Sequence, residues 1–415
     1  ANRMLGYSSI GQVGLIMIII GLQPMLGNNS IYLAFAVLAT HYLAKVGLFW
    51  ISGLVKGSSL ESWAIIRKNP FILALFGVFV FALTAFPPFP SFSAKWQLIM
   101  SMAESSHYMW MVVILIGSMF EVVYIIRWFG IVVKSEHQTE EKLVLPLNKI
   151  IPIGLFSLIL IVSGYFAPEF LNVSVFMNYI PIVAILALWL LDFLPAWIKN
   201  TLLLGATIAY AYFKLPLLQG FSLIFGGIFL AGALLTLIYG YSEKGKRIGF
   251  YPLAAMMFAG LILLVEASNL YQFFFAWEIM TAGSYFLILR GKKSQPHALS
   301  YMLFSFGGAM LILAGFAIAH AATGLDTFEA LNMDTVLSPL VFIMLTIGFL
   351  TKTAAIGLHI WLPGAHSEAE ADVSPMVSGI LLKAGVYGLI ILFLHMGYQC
   401  IYGIDLMWVL SWVGV

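Results

Sequence analysis

Apolar runs of about 20 residues, the length of one membrane crossing, recur along almost the whole chain. They lie near 5–22, 31–55, 70–103, 108–133, 149–167, 178–196, 200–214, 219–241, 250–267, 268–289, 298–321, 337–363 and 374–396, and a last one starts near 405. Two of them break the pattern. The 70–103 stretch is too long for one straight helix and contains Pro87-Pro88-Phe89-Pro90. The 337–363 stretch carries Gly357 and ends in Pro363-Gly364. Proline removes a backbone donor and interrupts the helical ladder. At membrane depth such a break is tolerated only where it faces protein or a wet cavity. The pattern predicts an all-α, polytopic transmembrane helical bundle of about 13–14 spans with two broken helices.

Composition agrees. The chain is 62% hydrophobic and 9% charged, with a mean hydropathy of +1.00, which excludes a soluble globular domain. The single cysteine, Cys400, excludes a disulfide framework, a CxxC redox pair and a cysteine-ligated iron–sulfur cluster. No cofactor and no metal site is expected, and nucleic-acid binding has no support. No signal peptide is expected. The chain opens on Ala1-Asn2-Arg3, without an initiator Met, and stops inside the apolar run 406–415, so both ends read as cuts.

Charge adds an orientation. With each broken stretch counted as one crossing, 14 of the 20 Lys and Arg residues fall on one side and only Lys214 on the other. The richer side is expected to be cytoplasmic, in the inner (cytoplasmic) membrane of a cell. The remaining five, Lys45, Lys95, Arg127, Lys352 and Lys383, fall within spans. A mid-membrane charge costs about 3 kcal/mol on insertion scales and by default marks an ion or proton path.

Candidate chemistry follows from those charges. Glu278 lies in Phe275-Ala276-Trp277-Glu278-Ile279-Met280, inside an otherwise apolar helix. Burial disfavours an ammonium and a nearby carboxylate favours it, so a Lys352 balanced between the two can load and release a proton. The alternative is a static buried ion pair that fixes helix packing. Lys352 and His359 share a face if their helix continues. His41 and Lys45 are four apart on one face, and His41 is a candidate relay. Lys95 follows the first break, and Lys383 sits mid-span among small residues. Glu121 and Arg127 share a span without facing each other, and Arg127 is expected to snorkel. His366, Glu368, Glu370 and Asp372 fit no metal-ligand spacing; a hydrated acidic loop is expected there.

A family resemblance rests on several of these segments. Lys352-Thr-Ala-Ala-Ile-Gly-Leu-His359-Ile-Trp-Leu-Pro363-Gly-Ala-His366-Ser-Glu-Ala, followed by Val373-Ser-Pro-Met-Val-Ser-Gly379, resembles the signature of antiporter-like subunits. These occur in respiratory complex I, Mrp cation/proton antiporters and membrane-bound energy-converting hydrogenases. Phe275-Ala-Trp277-Glu278-Ile-Met-Thr resembles the glutamate segment of the family's fifth helix. Arg3-Met-Leu-Gly-Tyr7-Ser8-Ser9-Ile resembles the start of its tenth, His41-Tyr-Leu-Ala-Lys45 its eleventh, and Phe86-Pro87-Pro88 through Lys95 its broken twelfth. Lys383, on the eighth, is similar to the Mrp and hydrogenase branches. The order is inverted: the resemblance assigns 1–170 to a C-terminal half, helices ten to fourteen, and 171–415 to an N-terminal half, helices one to the start of nine.

The resemblance implies inverted repeats, each with a broken helix carrying a key lysine, here Lys95 and Lys352. It implies Glu278 modulating Lys352, with transfer through Lys383 and His41–Lys45 toward Lys95. The expected function is a proton-translocating, non-redox membrane subunit of an NADH dehydrogenase-type or hydrogenase-type complex. Its expected partners are other antiporter-like subunits, redox subunits, the lipid bilayer and protons, with Na+ as the other ion. The alternatives are a stand-alone Mrp-type Na+/H+ antiporter subunit and a structural membrane arm without transport.

Overall fold

The computed structural model describes residues 1–55, 59–134, 146–171, 173, 180–397, 400–401 and 404–405. Eight helices among them are long and apolar enough to cross a membrane, so the chain is an all-α, multi-pass membrane protein. It divides into two compact units, Ala1–Val175 and Phe176–Val415.

The first unit contains α1 (Asn2–Gly21), the single turn α2 (Gln23–Leu26), α3 (Asn29–Ser52), a 3-10 segment (Glu61–Lys68), α4 (Pro70–Leu83), α5 (Pro90–Glu104), α6 (Tyr108–Lys134) and α7 (Leu147–Phe170). Helix α3 is its hub, packing on α1, α4, α5 and α7. The long 70–103 stretch is two helices, as its prolines predict. Asn69 caps α4 by accepting from the Ile72 amide at 3.1 Å, a usual N-cap role. Pro90 opens α5, where a missing N–H costs nothing. The break between them is buried at Phe86 and Phe89, as lipid requires. Helix α7 closes over it so tightly that a β-carbon on Gly164 would overlap the Pro88 carbonyl.

The second unit contains α8 (Ile180–Leu190), α9 (Ala196–Lys214), α10 (Gly220–Tyr239), α11 (Phe250–Glu266), α12 (Leu270–Leu289), α13 (Gln295–Thr323), α14 (Ser338–Thr353) and α15 (Trp361–Glu368). The turn α16 (Val373–Pro375) runs through a π-helical stretch, Met376–Leu381, into α17 (Leu382–Met396). Helix α8 has 11 residues, about 16 Å at ~1.5 Å per residue, and is shorter than the predicted 178–196 span. Of the last predicted span, residues 406–415 lie outside the described residues; just before it, Cys400–Ile401 pairs antiparallel with Ile404–Asp405.

Helix α12 is buried along nearly its whole length, and α11, α13 and α15 pack on it. Helices α13 and α14 meet backbone to backbone. A β-carbon on Gly348 would lie 2.8 Å from the Gly308 carbonyl oxygen, so glycine at both positions lets the helices close. That contact sets the end of α14, and Lys352 with it, against α12 and α13.

Candidate functional site: buried lysines in each unit

Helix α14 stops one residue after Lys352. Ala354 takes a left-handed conformation (φ 58°) and donates to the Leu350 carbonyl. Gly357 follows with φ 86°. The Trp361 indole N–H reaches back to the Thr351 carbonyl at 3.0 Å, satisfying one of the acceptors that a helix end leaves open.

The Lys352 side chain is fully buried. Its Nζ donates to Tyr301 Oη at 2.8 Å, Thr281 Oγ1 at 3.0 Å and Ser305 Oγ at 3.2 Å. Three donors thus meet three hydroxyl oxygens, which matches a protonated amine. The Tyr301 ring centroid is 4.9 Å from Nζ and the Trp277 ring 5.5 Å, close enough for cation–π attraction.

The hydroxyls are themselves oriented. Thr281 sends its proton to the Trp277 carbonyl at 2.8 Å, leaving its lone pairs for Lys352. Ser284 sends its proton to the Met280 and Thr281 carbonyls, so in the Ser284–Tyr301 hydrogen bond the tyrosine is the donor. Glu278 is buried on α12, three residues before Thr281 and therefore on the same face. The ammonium is held by three hydroxyls, with the Glu278 carboxylate on the same face of α12, one turn before Thr281.

Two predicted neighbours are elsewhere. The helix does not continue to His359, so no shared face with Lys352 forms; His359 is exposed in the break and accepts from the Gly357 amide at 3.2 Å. Lys383 follows the π-helical stretch and is exposed, its Nζ 3.5 Å from the Ser378 carbonyl.

The acidic group after the second break is not an open hydrated surface. Arg247 binds Asp372 at 2.6 Å and Glu370 at 2.8 Å. Arg290 binds Glu370 at 3.1 Å, and Glu368 accepts from the Lys293 amide. Burial works against the Arg247 charge, but the Asp372 and Glu370 carboxylates outweigh it and hold its pKa above the ordinary arginine value. His366 pairs with Ser374 Oγ at 2.6 Å. Among the described residues, no group of three or more His, Cys, Asp or Glu could hold a metal ion.

One buried lysine was missed. Lys199, one of the 14 charges assigned by sequence to the cytoplasmic side, is fully buried and pairs with Asp192 at 2.7 Å. It also donates to the carbonyls of Asp192 and Lys246. Only the turn that returns Asp192 to α9 creates this pair.

In the first unit Lys45, on α3, is buried and donates to Ser9 Oγ at 2.8 Å and to the Leu5 carbonyl. His41 lies one turn earlier, and its Nδ1 is buried without a hydrogen-bond partner. Lys95 is buried on α5. Arg127 is exposed on α6. The residue that sequence reasoning passed over is Glu121. Its carboxylate accepts from Gln12 Nε2 at 2.7 Å and Ser8 Oγ at 3.4 Å, and it interacts electrostatically with Lys95 and Lys45. Its mid-helix position was a usable signal; its partners, on helices far away in sequence, were not.

Residues 1–121 and 267–415 match the family model described as NADH:quinone oxidoreductase/Mrp antiporter, transmembrane. NADH-quinone oxidoreductase subunit M of Pseudomonas aeruginosa is 32% identical over 220 residues, covering 49% of this chain and 42% of its own. Hydrogenase-4 component B of Escherichia coli is 30% identical over 162 residues, 38% of this chain and 24% of its own. The chain therefore spans less than half the length of these curated relatives. Among solved structures, a chain of the archaeal membrane-bound sulfane sulfur reductase is 29% identical, covers 45% of this chain and 30% of its own, and has a TM-score of 0.39.

Proposed function

The chain belongs to the NADH:quinone oxidoreductase/Mrp antiporter transmembrane family, and on that premise we propose that it moves protons as a non-redox membrane subunit of a redox-driven complex of NADH dehydrogenase or hydrogenase type. The observation that carries this reading is Lys352: a fully buried ammonium whose three hydrogen bonds all go to neutral hydroxyls. A hydroxyl can either accept or donate, so such a group can change charge and keep its partners.

The residues around it suggest how. When Lys352 gives up its proton, the amine nitrogen needs a donor. Thr281 and Tyr301 have committed their protons to Trp277 and Ser284. Ser305 has, among the described residues, only the hydrogen bond it accepts from Lys352, so its proton can swing to the amine. Ser305 is the hydroxyl that follows the charge, while Thr281 and Tyr301 stay fixed. Glu278, one turn from Thr281, sets the field: ionised, it favours the ammonium, and neutralised, it favours release.

Lys383, and in the first unit His41, Lys45 and Lys95, are proposed as further carriers, with His359 at the mouth of the break. The two separate stretches of family match, 1–121 and 267–415, support reading the chain as the back half of one antiporter-like unit followed by the front half of another. The charge asymmetry of the connections supports placing the Lys- and Arg-rich side in the cytoplasm, in a cytoplasmic membrane.

The test is proton and sodium flux in proteoliposomes holding the parent complex, wild type against Lys352→Ala. Loss of proton movement from an assembled complex supports the relay. Sodium flux that is lost with it points to the exchange of the two ions. Unchanged flux of both ions removes the reading and leaves a structural arm.

A further inference from the structure

Glu121 occupies the midpoint of the 27-residue α6, roughly 20 Å from either end at ~1.5 Å per residue. A carboxylate at that depth is expensive and faces the protein interior when it is kept. Here α1 turns two donors toward it, Gln12 Nε2 at 2.7 Å and Ser8 Oγ at 3.4 Å. The next residue of α1, Ser9, holds Lys45 Nζ at 2.8 Å. One polar stretch of α1 thus carries the carboxylate on one side and the ammonium on the other. Lys95, from α5, acts on the same carboxylate.

The other titratable groups nearby are few. Tyr124, one turn along α6, interacts with Glu121, and His41 stands beside Lys45. Helix α4 carries no ionisable residue. Arg3 and Tyr7 of α1 are exposed. The 3-10 segment packed on α6 carries Glu61, Arg67 and Lys68, and its Arg67 donates to the Val133 carbonyl near the far end of that helix. Two buried lysines therefore act on one half-buried carboxylate.

We propose that Glu121 is a proton-accepting carboxylate that sets the charge of Lys45 and Lys95, doing in the first unit what Glu278 does for Lys352. The proposal rests on the proton-moving reading above. With Glu121 ionised, both ammonium groups have a counter-charge. A proton arriving on a Glu121 oxygen leaves two like charges without one, and one lysine releases its proton to the next carrier. Departure of the proton from Glu121 reverses the step. One proton enters, one leaves, and no bond between heavy atoms changes.

Proton flux by the parent complex in proteoliposomes, compared for Glu121→Gln, Glu121→Asp and Lys352→Ala, tests it. The expected result is a loss of about tenfold or more for Glu121→Gln, on the scale of a removed proton-transfer group, with the Asp variant intermediate. Wild-type flux in Glu121→Gln alongside loss in Lys352→Ala overturns the role of Glu121 and leaves the proton-moving reading standing. Wild-type flux in both overturns both. If the Gln variant does not assemble, Gln12→Met with Ser8→Ala decides. These changes strip the donors that favour the carboxylate form, so the acid limb of the flux–pH profile is expected to move to higher pH. An unchanged profile overturns the proposal, because donors that only pack helices do not tune a titration.

Discussion

Lys199 and Lys352 are both fully buried in the second unit, and they are held in opposite ways. Lys199 has a carboxylate at 2.7 Å and two backbone carbonyls. Those partners cannot turn, and they satisfy only the charged form. Lys352 has three hydroxyls, and a hydroxyl can either accept or donate. Burial alone does not separate a structural charge from a working one; the chemistry of the partners does. Lys199 ties the α8–α9 turn to the 243–249 loop, where the Gly249 amide donates to the same Asp192 at 2.6 Å. Lys352 ends a helix that stops beside it.

The largest test of that contrast is the pair Lys352→Ala and Lys199→Met. Lys352→Ala is expected to cut proton flux on the order of 10²-fold in a complex that still assembles. Lys199→Met is expected to leave flux per assembled complex unchanged but to cost about 3–5 kcal/mol of stability, because Asp192 loses its partner; a thermal melt of the purified complex reads this. The reverse assignment would break the comparison.

Tyr301→Phe comes next. It removes one acceptor from Lys352 and the donor to Ser284, at about 1–3 kcal/mol. Its expected signature is a lower flux with a melting temperature changed far less than in Lys199→Met.

The third test is pH. Burial raises the Asp192 carboxyl, against the pull of Lys199 and the Gly249 amide. A carboxyl with a raised folded-state value contributes stability at acid pH that is lost as pH rises through that value. Removing the lysine strengthens this, so the Lys199→Met deficit is expected to shrink on acidification toward the ordinary aspartate range, about 4. A pH-independent deficit would mean that Asp192 stays ionised without its partner.

Ser305→Ala is the smallest expected effect, about 1 kcal/mol in stability. It is also the sharpest, since loss of a fixed acceptor and loss of a swinging donor differ in flux. A flux loss larger than that of Tyr301→Phe supports Ser305 as the hydroxyl that follows the charge. Wild-type flux in Ser305→Ala assigns that part to another group.

Much of this was legible in the chain. The apolar runs gave the positions of most helices, though α8 and α14 end well before their runs do, and the prolines placed the first break, because both depend only on neighbours in sequence. Lys352, Lys45 and Lys95 stood out because a charge in an apolar run is costly whatever surrounds it. The failures share a cause. Glu121 and Gln12 are 109 residues apart, and no periodicity connects them. His359 looked like a same-face partner of Lys352 only while the helix was assumed to run on, and Ala354 ends it. The acidic run 368–372 looked solvated until Arg247, 125 residues before Asp372, closed on it.

By itself, then, the sequence determined that this is a multi-pass helical membrane protein of a recognisable family, that its two odd apolar runs are broken, and which charges fall inside apolar runs. Those properties follow from the transfer energy of each segment and from backbone donors that proline lacks. Only the tertiary structure decided what each of these charges faces: hydroxyls for Lys352, a carboxylate for Lys199, and for Glu121 the Gln12 and Ser8 donors of α1. Partner choice is set by helix rotation and by glycine contacts such as Gly308 against Gly348, which bring together residues that no local rule relates.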